Sequence, residues 1–369
     1  MGTHVRSYSK INLGLAIGAV RADGFHGLTT LYQTLDLHDR VTVSARALGV
    51  GAETRISLTT NHPFVPRDGR NTAWKMVERC LARLGMAAEV AIHIEKNLPV
   101  QGGMGAGSAN AAAALLGLER ELGVSLAGVE RLQLAAEVGS DVPLFLVGGA
   151  VMGLGRGEMV VPMPDFRRTW CVVAVPSVGV STPQAFRDWD ARAAAEAADG
   201  LTSAAKPDRL QELSLAYTSL SGPTGVRAAG KTGDDKSGTS GIIRDLDPEK
   251  KQVELDTNQA DAPNDLAENT LLALVRTGIG NNALQNDFEE VVFPQYPSLR
   301  ITKRQLMGSD SGSPALYAAL SGSGSALFGL YRSEADAQAA QQRVQASGVK
   351  AFVTTTLPRA EYWARMFAG

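Results

Sequence analysis

From residue 11 to residue 17 apolar and small or polar side chains alternate. Ile11, Leu13, Leu15 and Ile17 share one face, and Asn12, Gly14 and Ala16 share the other. A two-residue period is that of a strand with one buried face. Asp23-Gly24 then supplies a turn, and residues 30–37 and 90–95 read as further strands, the latter through Val90, Ile92 and Ile94. Between them Asn71-Thr72 can cap a helix carrying Ala73, Val77, Leu81 and Leu84 and ended by Gly85. Ser108 is placed to cap a second helix reaching about Leu122, and Ser125 a third that stops at Gly139. Residues 170–175 form a short apolar run flanked by turn formers, as a buried strand would. Residues 321–325 make a glycine-serine turn, Ser333 and Asp336 have capping-box spacing, and residues 349–355 close as a strand. Strands and helices in mixed order predict an α+β fold.

The pattern fails in the middle. No aromatic residue occurs from Thr218 to Asp287, and six glycines fall between Gly222 and Gly241 among Lys, Asp, Ser and Thr. Such a composition buries too little apolar surface to offset its ordering entropy, so a flexible surface insertion at about 190–280 is expected. It contains Gly225-Val226-Arg227-Ala228-Ala229-Gly230-Lys231-Thr232, which matches the Walker phosphate-loop string. A working loop of that kind must leave a buried strand and open a helix, and neither flank here does so. A solvated linker is the preferred reading.

Composition narrows the classes. With 369 residues, 44% of them hydrophobic and 20% charged, the chain is long enough for two domains, expected at 1–163 and 164–369. A net charge of −2 gives no general attraction to nucleic acid or an anionic membrane, so neither is an expected partner. Cys80 and Cys171 lie in apolar surroundings without zinc-ligand spacing, and His4, His38, His62 and His93 show no metal-binding pattern. No stretch reaches membrane-spanning length. Buried free thiols and a cytoplasmic location are the expectation.

A second glycine-rich stretch, PVQGGMGAGSANAAAALLG at 99–117, satisfies the test that the Walker string fails. A strand precedes it, its glycines permit close backbone approach, and a helix N-terminus follows, which favours an anion. Taken alone it fits a phosphate cradle and a tight structural turn equally well. Its run Pro99-x-x-Gly102-Gly103-Met104-Gly105-Ala106-Gly107-Ser108-Ala109-Asn110 resembles the second motif of the GHMP kinases. Ser9-Lys10-Ile11-Asn12-Leu13 resembles their first motif and Leu320-Ser321-Gly322-Ser323-Gly324-Ser325-Ala326 their third, in the family's order. Arg21-Ala22-Asp23-Gly24-Phe25-His26, Gly139-Ser140-Asp141-Val142-Pro143, Gly155-Arg156-Gly157-Glu158 and Asn286-Asp287-Phe288-Glu289 are similar to the branch acting on 4-diphosphocytidyl-2-C-methyl-D-erythritol.

The resemblance implies two α+β domains, an N-terminal one of the ribosomal-protein type and a ferredoxin-like C-terminal one, with both ligands in the cleft between them. It implies ATP and Mg²⁺ as cofactors and phosphorylation of the 2-hydroxyl of that small-molecule substrate. Asp141 becomes the general base and Lys10 its partner. Lys96, Pro99, Gly102, Gly103, Gly105, Gly107 and Ser108 fall to ATP, with Ser108 also a metal contact. Asn12, Phe25, His26 and Phe186 fall to the acceptor, the two phenylalanines stacking on cytosine. Departures are Ala109 where the family commonly has a second serine, Phe25 where tyrosine is common, and the long stretch between Phe186 and Asn286. Another GHMP kinase, acting on homoserine, mevalonate or a sugar, and a non-catalytic nucleotide-binding homologue are the alternatives.

Overall fold

A computed structural model describes residues 2–49, 51–100, 102–198 and 284–368. Two long antiparallel strands, β1 (Thr3–Val20) and β2 (His26–Ala47), form its spine, joined by a turn in which Gly24 takes φ 79°. Register shifts between Tyr8 and Ser9 and between Asn12 and Gly14 bracket Lys10 and Asn12 on β1. Bulges of this kind re-aim side chains. The far half of β2 pairs with β4 (Ala88–Glu95), which is parallel to β3 (Arg55–Thr60), and the near half pairs with β5 (Ala150–Gly155), itself paired with β6 (Met159–Pro162).

Helix α1 (Thr72–Leu84) and helix α2 (Ala106–Leu122) pack against this sheet. For α1 the sequence reading holds at both ends, with Asn71 accepting from the Ala73 N–H and Gly85 in the left-handed conformation. Helix α2 is buried from Ala109 to Glu119, and its alanines and Gly117 let it lie close, since a Cβ at Gly117 would come within 2.7 Å of Val43. Two expected caps are corrected. Helix α2 starts at Ala106 on Gly105, whose φ of 69° only glycine adopts cheaply, so Ser108 lies inside the first turn. Helix α3 (Gly128–Val138) starts after Ala127 with no side-chain cap, later than a Ser125 cap would give.

The second sheet has the order β10 (Lys350–Thr355), β7 (Trp170–Val175), β9 (Leu327–Tyr331), β8 (Tyr317–Leu320), all antiparallel. Helices α5 (Glu289–Gln295), α6 (Pro297–Met307) and α7 (Glu334–Gln345) accompany it. Helix α4 (Thr182–Ala198) opens the region expected as an insertion, and the Walker-like string lies outside the described residues. The expected boundary at 163/164 falls between the two sheets, but the last residues return to the first one. Helix α8 (Arg359–Ala364) is held there by Arg359 donating to the carbonyls of Ala150 at 2.6 Å and Gly148 at 3.1 Å, and β11 (Phe367–Ala368) pairs with β1.

Asp39 on β2 ties these layers together where the glycine loop begins. Its carboxylate is fully buried, accepts the backbone N–H groups of Asn97 and Leu98 at 2.8 Å each and the Asn110 amide of α2 at 3.0 Å, and is paired with Lys96. Removing one partner of a sealed pair leaves a charge and several donors unmatched. Asp39→Ala is expected to lower the unfolding free energy by about 3–5 kcal/mol, measured by chemical denaturation.

Cys80 and Cys171 are free and buried. Burial pushes the Cys80 thiol up to about 12 and raises that of Cys171 as well. Both are therefore neutral thiols at about pH 8, and the thiolate is the nucleophile. Iodoacetamide at about pH 8 should leave the native chain unlabelled and modify both cysteines once guanidinium is added, as read by mass.

Candidate active site

Lys10 and Asn12 are two residues apart on β1 and share a face. The Lys10 ammonium donates to Asn12 Oδ1 at 2.6 Å and lies 3.4 Å from Asp141 Oδ2, with its side chain 3% exposed and that of Asp141 30% exposed. The amide of Asn12 is oriented in turn by donating to Thr30 Oγ1 at 2.8 Å, and Thr30 donates to the Gly14 carbonyl at 2.7 Å. Asp141 stands in the turn after α3, where Val142 N–H bonds the Gly139 carbonyl at 3.0 Å and Pro143 opens a short 3-10 helix. Its other oxygen, Oδ1, accepts from the Tyr32 hydroxyl at 3.0 Å. Burial, and then the neighbouring Asp141 carboxylate, hold the Tyr32 phenol well above its ordinary ionisation range, so it stays a donor. This carboxylate is fixed on both oxygens yet reaches the cavity, as a base for an incoming hydroxyl must.

The glycine loop meets that pair from one side and the third motif from the other. Lys10 N–H donates to the Met104 carbonyl at 3.1 Å, and a Cβ at Gly105 would lie 3.1 Å from Lys10 Cγ. Gly102 bridges Ser325, with Ala326 N–H donating to the Gly102 carbonyl at 3.1 Å, and Ser321 Oγ donates to the Gly103 carbonyl at 3.0 Å. A Cβ at Gly103 would fall 2.0 Å from the Ser321 carbonyl oxygen. Asn286 holds the facing turn by donating to the carbonyls of Leu320 at 2.8 Å and Gly322 at 2.7 Å. The helical ladder of α2 begins with Ala109 N–H on the Gly105 carbonyl, so the N–H groups of Ala106, Gly107 and Ser108 precede it without intrahelical acceptors. A Cβ at Gly139 would be 3.8 Å from Ser108 Oγ, which places this helix mouth beside the Asp141 turn.

The loop region also differs from expectation. The Lys96 ammonium turns inward onto Asp39. Ala109 is buried in the core, so a hydroxyl at that position would face the packed interior. Pro99 is half-buried at the loop entry, and Gly107 accepts a hydrogen bond from Thr72 Oγ1 at 2.6 Å. Among the described residues no group of three or more His, Cys, Asp or Glu side chains could hold a metal ion.

A cavity of ≈ 500 Å³ runs from Lys10 and Asp141 to Phe25, His26 and Phe186. His26 lies flat on Phe186, with centroids 5.1 Å apart and planes 7° apart, and the rings of Phe186 and Phe288 meet at 75° with centroids 5.0 Å apart. His26 Nδ1 is 2.9 Å from the Gly18 carbonyl, and its Nε2 is 3.1 Å from Asp190 Oδ1 on α4. Phe25 is 54% exposed, with the Arg156 guanidinium 4.8 Å above its ring. Arg187 also lines the cavity. The structure thus brings every expected catalytic and acceptor residue to one cavity. It adds Tyr32, Arg156, Arg187 and Asp190, of which only Arg156 stood in a quoted motif. Nothing in the spacing of Tyr32 marks it, because its partner is 109 positions away.

Residues 71–149 match the profile described as GHMP kinases N terminal domain, and residues 266–350 match GHMP kinases C terminal. A protein of Solibacter usitatus named 4-diphosphocytidyl-2-C-methyl-D-erythritol kinase is 31% identical over 334 residues, covering 89% of this chain and 81% of that protein. One of the same name from Nocardioides sp. is 43% identical over 190 residues, covering 50% of this chain and 62% of the relative. The match to this relative therefore spans about three fifths of its length. A crystal structure of 4-(cytidine 5'-diphospho)-2C-methyl-D-erythritol kinase superposes with a TM-score of 0.61 at 23% identity, covering 95% of this chain and 98% of that one, a likeness of fold. With both halves of the family's fold present and a relative matched over most of its length, the chain belongs to the GHMP kinase family.

Proposed function

We propose that the chain transfers the γ-phosphoryl group of ATP to the 2-hydroxyl of 4-diphosphocytidyl-2-C-methyl-D-erythritol, giving ADP and the 2-phosphate in the non-mevalonate isoprenoid pathway in the cytoplasm. The observation that carries this reading is one cavity with a Lys–Asp pair and Gly103 of the glycine loop at one end and aromatic and imidazole rings at the other. Phosphoryl transfer needs an aligned hydroxyl, a route for its proton and positive charge around the phosphoryl oxygens, and little else from the protein. Asp141 takes the hydroxyl proton as the oxygen attacks the γ-phosphorus and the bond to the ADP oxygen breaks. The Lys10 ammonium lies beside that carboxylate and faces the charge that develops on the phosphoryl group.

The N–H groups at the head of α2 and the backbone of Gly103, Gly105 and Gly107 hold the phosphates, aided by the helix dipole. Ser108 would hold a magnesium ion through its hydroxyl, and the ion would supply charge neutralisation for the phosphate oxygens. At the opposite end Phe25 and Phe186 offer faces for cytosine, Asn12 a contact near the reacting end, and His26 a polar edge when its Nε2 exchanges Asp190 for the base. Arg156 and Arg187 supply positive charge facing the substrate's diphosphate.

ADP release with this substrate should fall on the order of 10²-fold or more in Asp141→Asn and stay at the parent level in Lys231→Ala, measured in a coupled assay. The reverse pattern moves the phosphate site to the Walker-like string and sinks the proposal. Phe25→Ala should raise KM for the cytidine substrate by about ten- to a hundredfold and leave KM for ATP unchanged, since one base-stacking contact is worth that much. An unchanged KM for the cytidine substrate points instead to a base-free acceptor such as homoserine or mevalonate.

A further inference from the structure

Tyr32 is a polar side chain in the core for which packing alone gives no reason. It lies on β2 at 3% exposure, and its hydroxyl is directed at Asp141 Oδ1, 3.0 Å away. Two glycines make the space for it. A Cβ at Gly153 on β5 would stand 2.5 Å from Tyr32 Cε2, and one at Gly157, where φ is +98°, would stand 2.5 Å from the Tyr32 hydroxyl oxygen. The ring is thus seated against backbone, which leaves the hydroxyl little freedom to point elsewhere. The same ring carries the Lys10 ammonium 5.3 Å from its centroid. One side chain therefore touches both members of the Lys10–Asp141 pair, at their charged ends.

We propose that Tyr32 is a positioning residue that fixes the plane of the Asp141 carboxylate, holding one oxygen so that the other faces Lys10 and the reacting hydroxyl. A lone contact to Lys10 at 3.4 Å leaves a carboxylate free to rotate about its last bond. A second contact on the other oxygen removes that freedom. A neutral donor fits this role because it steadies the carboxylate without cancelling the negative charge that proton abstraction requires. The buried phenol meets the condition, since it does not ionise at working pH.

This inference rests on the function proposed above, and its test separates the two. Tyr32→Phe keeps the ring, the glycine-lined seat and the contact with Lys10. It should lower kcat on the order of tenfold, the value of one hydrogen bond to a charged group, with KM for ATP and for the cytidine substrate unchanged. Added to Asp141→Asn it should lower the residual rate no further, a non-additivity that a purely structural hydroxyl would not produce. An unchanged kcat in Tyr32→Phe, or the same fractional loss in both backgrounds, overturns the inference. If the parent chain releases no ADP with the cytidine substrate, the proposed function fails by itself. The contact is then read from the melting temperatures of the parent, the two single variants and the double variant. Coupled shifts support a Tyr32–Asp141 bond, and purely additive shifts overturn it.

Discussion

Two backbone turns from opposite halves of the chain approach so closely that no side chain fits between them. Gly103 and the 321–324 turn are in contact where a single added carbon would sit 2.0 Å from a carbonyl oxygen. This steric constraint governs the site. It puts the loop that opens α2 against the turn between β8 and β9, so the two sheets share one cleft, and it aims the helix mouth at the Asp141 turn. Asn286 secures the facing turn through two carbonyls, and the adjoining Asp287 receives Ile17 N–H at 2.8 Å, which ties the second sheet's turn to β1. Positioning of this kind is what phosphoryl transfer demands most from a protein.

Two lysine–aspartate pairs divide the labour. The Asp39 and Lys96 side chains are sealed from water, and their neighbours are backbone N–H groups and an amide, so the pair anchors the loop entry. Asp141 and Lys10 use the same chemistry with one side open to the cavity. Exposure, more than residue type, separates a structural ion pair from one that can exchange a proton with a substrate.

The parts of this arrangement that the sequence disclosed are those set by neighbours in the chain. Helix α1 was legible at both ends because Asn71 and Gly85 act on residues within a turn of themselves. Strands β7 and β10 were legible as isolated apolar runs, and the family resemblance brought in Lys10, Asp141 and the glycine loop. The start of α2 is not legible in this way, because Gly105, in a conformation no residue letter records, caps it in place of Ser108. Strands β6, β8 and β9 are four or five residues long, too short for periodicity to separate them from loop, and β3 (RISLTT) and β5 (AVMGLG) equal β7 in length but carry hydroxyl residues or glycines in place of a continuous apolar run. Asp39 with Lys96 and Tyr32 with Asp141 are pairs 57 and 109 positions apart, and only the folded register of β2 joins them.

The two ends of the cavity differ in how they are built into the fold. Lys10, Asn12 and Tyr32 lie within the β1–β2 ladder, the longest in the sheet, which also holds His26. Phe25 lies on the turn that joins those strands, and Phe186, Arg187 and Asp190 lie on one helix, where an altered side chain breaks no rung of the ladder. A changed side chain near Lys10 must fit a paired strand, whereas one at Phe25 or on α4 has only a turn or a helix face to fit. A fold divided in this way can change what one end of the cavity receives while the other end keeps its shape.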